Sequence, residues 1–329
     1  MKVIEFKVPG NYDVLKIVEK PMPALGDTQI LVKVKIAAVN AVDNTIRSGK
    51  MKGRRSSGIL GNEGVGVVAK GNAEFPEGTR VMISCFTTDG QIRGINVDGI
   101  WSEYITVNPS ELIAIGDNIS DEEAAAFPVS FFSAQACLNK AEFKPGKSVL
   151  SLAIGGGVGN ATVQLAEMLG ASQVISTAGS SEKVEKAISL GFKNIIDLSK
   201  ESIREGVLRL TEGKGVDIVI DSVGGNLTGD AISALSRNGM LVTIGYSAGT
   251  TFTANITDFV WKGLQMRGQS LNGWFDMEAQ KEVWNELMPL FEEKKLIPII
   301  AKVFNAEDIS EAQRFLIEER PFGKVLVKF

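Results

Sequence analysis

The chain has 329 residues, which is enough for about two domains that each bury a hydrophobic core. Its formal net charge of −4 provides no basic footprint for nucleic acid, no apolar run reaches the length of a membrane span, and the N-terminus lacks the layout of a signal peptide. The two cysteines, Cys85 and Cys137, indicate reduced core residues, and the absence of histidine leaves too few ligands for a structural or catalytic zinc site. We therefore expect a cytoplasmic protein whose chemistry is carried mainly by a cofactor, without nucleic-acid or membrane partners.

The residues before about 120 alternate short β-branched runs with proline and glycine turns. Strands are predicted over 30–36 and 64–68, and turns at Pro9-Gly10, Gly26-Asp27 and Pro76-Glu77-Gly78. This pattern is typical of an irregular, β-rich domain.

The most informative segment lies over 148–170. Val149, Leu150 and Leu152 predict a buried strand that breaks into glycines, with the spacing Ala153-x-x-Gly156-x-x-Gly159, and an amphipathic helix follows. Glycines remove the side chains that would keep a backbone away from a pyrophosphate, and the amides of a helix N-terminus then face the anion. The segment predicts a dinucleotide-binding turn; an ordinary glycine loop is the alternative.

Strand-like and helix-like segments alternate after this turn. Strands are predicted over 173–177, 194–197, 216–221 and 240–244, and helices over 182–190, 202–210 and 227–235. Such alternation predicts a doubly wound parallel sheet in an α/β protein.

The last part of the chain contains both helix-like and strand-like segments. Helices are predicted over 280–293 and 306–318, and strands over 299–304 and 324–328. We expect this closing piece to return to the first domain.

The chain resembles the medium-chain dehydrogenase/reductase superfamily along essentially its whole length, and within it the zinc-independent NADPH:quinone oxidoreductases. The resemblance rests on five segments: Asn40-Ala41-Val42-Asp43, Gly61-Asn62-Glu63-Gly64-Val65-Gly66, Ala153–Gly159, Asp221-Ser222-Val223-Gly224-Gly225 and Phe322-Gly323-Lys324-Val325-Leu326. It implies a discontinuous GroES-like catalytic domain over 1–123 and 265–329, a Rossmann nucleotide-binding domain over 124–264, and a homodimer or tetramer, of which we expect the homodimer. In the zinc-dependent relatives a cysteine stands where this chain has Asn40 and a histidine where it has Asn62, so no metal is expected.

The cofactor choice depends on the end of the second strand of the Rossmann region, where enzymes that use NAD carry an acid. Here the segment 176–183 offers hydroxyls, open amides and Lys183, which suit a 2′-phosphate, and enzymes similar to this chain use a lysine at that position, so NADPH is predicted. The alternative is that Ser180 or Ser181 only caps a helix and Lys183 is solvated; the acidic Glu182 also argues against a phosphate. The predicted cofactor-binding residues are Gly156, Gly157, Val158, Gly159, Thr177, Gly179, Ser180, Lys183, Ser222, Gly245, Tyr246, Ser247 and Lys324.

The resemblance also suggests the residues on the substrate side, namely Asn40, Asp43, Ser133 and Trp274. Ser133 corresponds to a hydroxyl residue near the nicotinamide ribose. Each has a structural alternative: Asn40 and Asp43 could close a turn, Trp274 could only pack, and nearby Glu63 could pair with a structural arginine.

These features together predict an NADPH-dependent, zinc-independent oxidoreductase that reduces quinones or related activated alkenes conjugated to a carbonyl. One alternative is an enoyl-thioester or α,β-unsaturated carbonyl reductase, although the tyrosine that such enoyl-thioester reductases use aligns with Met51 here. A second alternative is a non-enzymatic NADPH-binding protein, which would be free to lose the phosphate turn and the Asn40/Asp43 pair; both are intact.

Overall fold

The computed structural model describes residues 1–51, 55–271 and 277–329. It contains two compact units, unit 1 (Met1–Val129 and Asn272–Phe329) and unit 2 (Ser130–Leu271).

The strands, in chain order, are β1 (Lys2–Phe6), β2 (Lys16–Glu19), β3 (Ile30–Val39), β4 (Gly58–Ile59), β5 (Gly64–Lys70), β6 (Arg80–Ile83), β7 (Tyr104–Val107), β8 (Leu112–Ala114), β9 (Ser148–Ser151), β10 (Gln173–Ala178), β11 (Ile195–Asp197), β12 (Val216–Asp221), β13 (Leu235–Thr243), β14 (Gln265–Gly268), β15 (Ile300–Asn305) and β16 (Lys324–Lys328).

The α-helices are α1 (Ala41–Arg47), α2 (Asp121–Ala126), α3 (Pro128–Lys140), α4 (Gly157–Met168), α5 (Ser181–Ser189), α6 (Ile203–Leu210), α7 (Asn226–Ser233), α8 (Ile256–Lys262), α9 (Met277–Glu292) and α10 (Ile309–Arg314). Short 3-10 helices lie at Tyr12–Val14, Pro109–Glu111 and Ala306–Asp308, and a π-helical stretch at Phe315–Glu319 follows α10. No helix in the described ranges is both long and apolar enough to cross a membrane.

Unit 1 is built on a mixed sheet in the order β15-β16-β3-β5-β6-β8, with β7 also paired to β3, and on a smaller sheet in the order β2-β1-β4. The long strand β3 connects the N-terminal and C-terminal parts of unit 1, because it pairs antiparallel with both β16 and β5. The registers Val325↔Val39 and Ala37↔Gly64 place the start of β16, the end of β3 and the start of β5 at the same edge. The β-rich architecture predicted from the turn-punctuated sequence is confirmed.

Unit 2 is a parallel sheet in the order β11-β10-β9-β12-β13-β14. Counted from β9, this is the order 3-2-1-4-5-6 of the Rossmann fold, with the strand order reversing between β9 and β12. Right-handed crossovers put the helices after β9 and β10 on one face and those after β12 and β13 on the other. The predicted doubly wound parallel sheet is therefore confirmed, and ligands of such sheets bind at the carboxyl ends beside the reversal.

The two largest differences from the predicted elements are the start of one strand and the division of one helix. Strand β13 begins at Leu235 instead of 240, because Leu235 already pairs with Val216 of β12; an irregular stretch in which Asn238 has a φ of 58° follows before the pairing resumes at Met240. The polar residues of this stretch resemble a turn in sequence, although the strand continues through them. The single helix predicted over 306–318 is instead a 3-10 turn, helix α10 and a π-helical stretch.

Candidate functional site

The glycine turn after β9 has the geometry expected of a pyrophosphate cradle. A Cβ atom built on Gly159 would lie 2.0 Å from the carbonyl oxygen of Ala153, so only glycine allows helix α4 to approach the strand this closely. Ala153 itself has a φ of 61°. Gly156 is the N-cap of α4, and the amides of the first helical residues, Gly157, Val158 and Gly159, have no acceptor within the helix. Backbone donors therefore face outward at the carboxyl edge of the sheet.

Thr177 supports this turn from the neighbouring strand β10. Its hydroxyl accepts a hydrogen bond from the Ala153 amide at 2.9 Å, and its carbonyl oxygen accepts one from Ile154 at 2.9 Å. Thr177 is buried. The structure thus gives this residue a role in holding the shape of the turn.

The next loop leads into helix α5 and contains the residues predicted to read the cofactor's ribose. A Cβ atom at Gly179 would meet no atom within 4 Å, so this position opens into space. Ser180 is the N-cap of α5, and its hydroxyl accepts from the Lys183 amide at 3.4 Å. The capping alternative is thus realised for Ser180. The Ser180 oxygen still has an O–H to donate.

An acid beside this loop is not among the residues predicted from the sequence. Asp197, at the end of β11, accepts a hydrogen bond from the Ser181 hydroxyl at 2.6 Å and one from the Ser199 amide at 3.0 Å, and Lys200 lies 3.2 Å away. The hydrogen bonds from Ser181 and Ser199 lower the pKa of this carboxyl. The sequence pattern directs the search for an acid to the end of β10, whereas Asp197 ends the adjacent strand of the sheet.

The ends of β12 and β13 complete this edge of unit 2. The Ser222 hydroxyl donates to the Leu152 carbonyl at 3.3 Å, which links the ends of β12 and β9 at the reversal of strand order. Gly245 lies so close to Ser222 that a Cβ there would be 1.9 Å from the Ser222 carbonyl oxygen. Tyr246 is exposed and Ser247 follows in the same loop.

Buried Asp221 orders this region, a role that is also absent from the sequence predictions. It accepts from the amides of Val223 at 2.9 Å and Gly224 at 2.8 Å and from the Thr228 hydroxyl at 2.6 Å. An aspartate directly before a Ser-Val-Gly-Gly turn is the available sequence signal, because such side chains hydrogen-bond the backbone a few residues ahead.

In unit 1, a cluster of polar side chains lies where β3, β5 and β16 meet; we call Asn40, Asn62, Glu63 and Lys324 the Asn40 cluster. The Asn40 Nδ2 donates to Asn62 Oδ1 and to Glu63 Oε1, both at 2.8 Å. Lys324 Nζ donates to Glu63 Oε1 at 2.5 Å and also to Asn40 Oδ1. Glu63 Oε2 accepts from the Val129 amide at 2.6 Å. Glu63 thus pairs with a lysine, and not with the structural arginine that the sequence offers as an alternative.

Asp43 connects the two loops that carry this cluster. Its Oδ2 accepts from the Asn40 amide at 2.7 Å and its Oδ1 from the Gly61 amide at 3.0 Å. Burial raises the pKa of the Asp43 carboxyl to about 7, against the lowering effect of these two hydrogen bonds. Both carboxyl oxygens of Asp43 thus accept hydrogen bonds from backbone amides.

The remaining predicted residues lie elsewhere. Ser133 is buried in the part of α3 that belongs to unit 2. Trp274 lies outside the described residues. Among the residues that the structure describes, no group of three or more His, Cys, Asp or Glu side chains could hold a metal ion.

Replacing Asp43 tests its role as a backbone acceptor. In Asp43→Asn, the side-chain amide nitrogen faces one of the two backbone N–H groups, so one of them loses its acceptor. We expect a loss of about 1–3 kcal/mol in the free energy of unfolding, measured by urea denaturation at pH 5.5. Asp27→Asn, at an exposed turn, is the control and should change stability by less than about 0.5 kcal/mol.

The same variant should alter the pH dependence of stability. Because the folded-state pKa of Asp43 is raised, the folded protein binds a proton that the unfolded chain has lost, and wild-type stability falls as the pH rises from about 4 through about 7. The amide introduced by Asp43→Asn does not titrate, so the deficit of the variant relative to wild type should be smaller at pH 8 than at pH 5.5. An equal deficit at both pH values would contradict the raised pKa.

Comparison with known families assigns both units. The model of an alcohol dehydrogenase GroES-like domain matches residues 26–117, and the model of a zinc-binding dehydrogenase matches residues 157–293. The first match lies in unit 1, and most of the second lies in unit 2.

Individual relatives match nearly the full length. The quinone oxidoreductase of Salmonella typhimurium is 32% identical over 96% of this chain and 92% of its own. The NAD-dependent alcohol dehydrogenase of Sulfolobus acidocaldarius is 28% identical over 95% of this chain and 96% of its own. The crystal structure of the Escherichia coli quinone oxidoreductase complexed with NADPH superposes with a TM-score of 0.87 at 28% identity, covering 100% of both chains. Fold, motifs and relatives agree that this chain belongs to the medium-chain dehydrogenase/reductase superfamily and, within it, to the quinone oxidoreductase-like family.

Proposed function

We propose that this protein is a cytoplasmic, NADPH-dependent, zinc-independent oxidoreductase that reduces quinones or related activated alkenes conjugated to a carbonyl. The observation that carries the proposal is the glycine cradle at the reversal of the Rossmann sheet, which presents the start of α4 to an anion. The two buried thiols, Cys85 and Cys137, form no disulfide, which suits a reducing compartment.

The residues present fit a dinucleotide. The amides of Gly157, Val158 and Gly159 would hold the pyrophosphate, since they lack intrahelical acceptors and no side chain blocks the approach at Gly156 or Gly159. When bound, a reduced nicotinamide supplies the hydride that reduces the substrate. The fold edge that holds it also includes Ser222, Gly245, Tyr246 and Ser247, which we propose as further cofactor contacts.

The choice of NADPH rests on the loop between β10 and α5. That loop offers the open Gly179, the Ser180 hydroxyl and Lys183 at the N-terminal turn of a helix, where an anion is favoured. The similarity to a quinone oxidoreductase whose structure contains NADPH supports this choice, whereas the similarity to an NAD-dependent alcohol dehydrogenase supports NADH. The absence of a carboxylate at the end of β10 decides for NADPH in our proposal.

A quinone or a related acceptor suits the residues on the substrate side. We propose that Asn40, Asp43, Ser133 and Trp274 line or support that side. The chain contains no histidine, and both Asp43 oxygens bind backbone amides, so the substrate must not depend on a strong protein acid. Reduced quinones can take protons from water, which makes this substrate class the best match.

The proposed reaction is tested by NADPH oxidation with a small naphthoquinone after chelator treatment of the protein. We expect turnover that the chelator leaves unchanged, because the metal-ligand positions hold Asn40 and Asn62. A loss of activity that added zinc restores would contradict zinc independence. NADPH binding without turnover on naphthoquinones, enones or enoyl thioesters would favour the non-enzymatic alternative.

The phosphate role of Lys183 is tested by Lys183→Ala. A charge-assisted hydrogen bond to a 2′-phosphate contributes a preference of roughly tenfold to hundredfold, so the Kd for NADPH should rise by that factor while the Kd for NADH stays constant. Lys186→Ala, at an exposed position of the same helix, is the control and should alter neither Kd. An equal loss for both cofactors would refute the phosphate contact.

We also propose that the protein is a homodimer. Strand β14 is an edge strand, and helix α8, which packs against the neighbouring strand β13, exposes Ile256, Val260 and Trp261 at 73%, 73% and 72% of their surface. Such an apolar patch favours association with a second copy. Light scattering should give twice the chain mass of 35.3 kDa for the wild type and a smaller value for Val260→Asp. A wild-type monomer would contradict the proposal.

A further inference from the structure

The first observation concerns the position of Lys324 in unit 1. It is the first residue of β16, and the antiparallel register Val325↔Val39 places it opposite Asn40, which follows β3. Glu63 precedes β5, on the other side of β3. Lys324 and Asn40 are 284 residues apart in the chain, and the pairing of the sheet alone brings them together.

The second observation is the burial of this charge. The side chain of Lys324 is 7% exposed and that of Glu63 is 0% exposed, and their charged atoms lie 2.5 Å apart. A buried ammonium is costly unless it is paired and hydrogen-bonded, and replacing such a pair by apolar residues is often neutral or stabilising. Stability alone therefore gives little reason for an ammonium at this place.

The third observation comes from counting donors. An ammonium has three N–H donors, and in the described part of the chain Lys324 gives one to Glu63 and one to Asn40. Asn40, in contrast, gives both Nδ2 donors to Asn62 and Glu63 and receives Lys324 on its oxygen. Lys324 thus retains a donor, whereas the Asn40 amide group has no donor left for a substrate.

From these observations we propose that Lys324 is a catalytic residue whose remaining N–H donates to the substrate's carbonyl oxygen and stabilises the oxyanion formed during reduction. This inference rests on the proposed function and names the group that stabilises the negative charge formed in its reaction. Asn40 and Glu63 are positioning residues, because they fix the ammonium.

The electron balance of the step leaves a negative charge that such a group would stabilise. A quinone or enone that accepts a hydride from reduced nicotinamide gains two electrons and one proton in a new bond, and the electron pair of the conjugated π system moves to the carbonyl oxygen. The resulting enolate or hydroquinone monoanion carries a negative charge until water supplies the second proton. A fixed ammonium at that oxygen stabilises the developing charge, as preorganised donors do in other enzymes.

The test compares wild type, which holds the paired ammonium, with the double variant Glu63→Gln/Lys324→Met, which removes both buried charges together. The double variant avoids the uncompensated buried charge that a substitution of Glu63 or of Lys324 alone would leave. Lys328→Met, at the exposed end of the same strand, is the matched control. The first measurement uses 4-nitrophenol at pH 7 with saturating NADP⁺, because the absorbance of bound phenolate reports the affinity for an oxyanion without any turnover.

We expect wild type to bind the phenolate about tenfold to hundredfold more tightly than the double variant, while the Kd for NADP⁺ and the Tm of the two remain similar. In turnover with naphthoquinone, kcat of the double variant should fall roughly 10²- to 10³-fold below that of wild type. Lys328→Met should behave as wild type in both assays.

Equal phenolate affinity of wild type and the double variant would overturn the inference and give Lys324 a purely structural role. If the double variant binds phenolate more weakly as expected but wild type reduces no quinone or enone, the proposed function fails while the oxyanion site stands. The two failures are therefore distinct.

Discussion

An ammonium and a carboxylate are buried side by side where three strands of unit 1 meet, and the local structure is arranged around them. The Glu63 carboxylate accepts from Lys324, from Asn40 and from the Val129 amide, so each of its oxygens has a donor. Desolvation of two charges costs several kcal/mol per ion, which such a complete set of hydrogen bonds offsets. Asp43 fixes the loops on both sides through backbone amides.

Unit 2 follows a different constraint, namely that the carboxyl ends of parallel strands gather at one edge. The glycines after β9, Thr177 at the end of β10 and Ser222 after β12 meet there, because each follows a strand of the same sheet. Side-chain oxygens tie these loops to one another. The edge therefore offers backbone amides at fixed places, which suits an extended anionic ligand.

Much of the fold could be predicted from the sequence, because local pattern determines most of these elements. The strand 216–221 and the strand 324–328 have the predicted bounds, since apolar β-branched runs end there at turns or glycines. The glycine turn was predictable for the same reason, as its spacing is a local property. The family resemblance, in turn, directed attention to Asn40, Asp43 and Lys324.

Other features could not be predicted because they depend on contacts between distant residues. The lysine that pairs with Glu63 is 261 residues away, and only the register of β3 with β16 reveals this pairing. Asp197 supports the loop before α5 from an adjacent strand, so no local spacing relates it to Ser181. The early start of β13 depends on its pairing with β12 through an irregular stretch.

The pairing of β3 with β16 has a consequence for how the chain folds during synthesis. All of unit 2 is translated between these two strands, so the central sheet of unit 1 lacks its β16 neighbour until after unit 2 has left the ribosome. Domains fold as units in the order in which they become complete, which makes the inserted unit 2 the first to mature. Strand β7 already pairs with residues 30–33 of β3, but residues 36–39 lack their β16 partner throughout that interval, so the nascent chain carries a short open strand edge that is prone to association. The strand that closes this edge also brings in Lys324, and unit 1 therefore gains its last sheet neighbour and its buried cation in the same folding step.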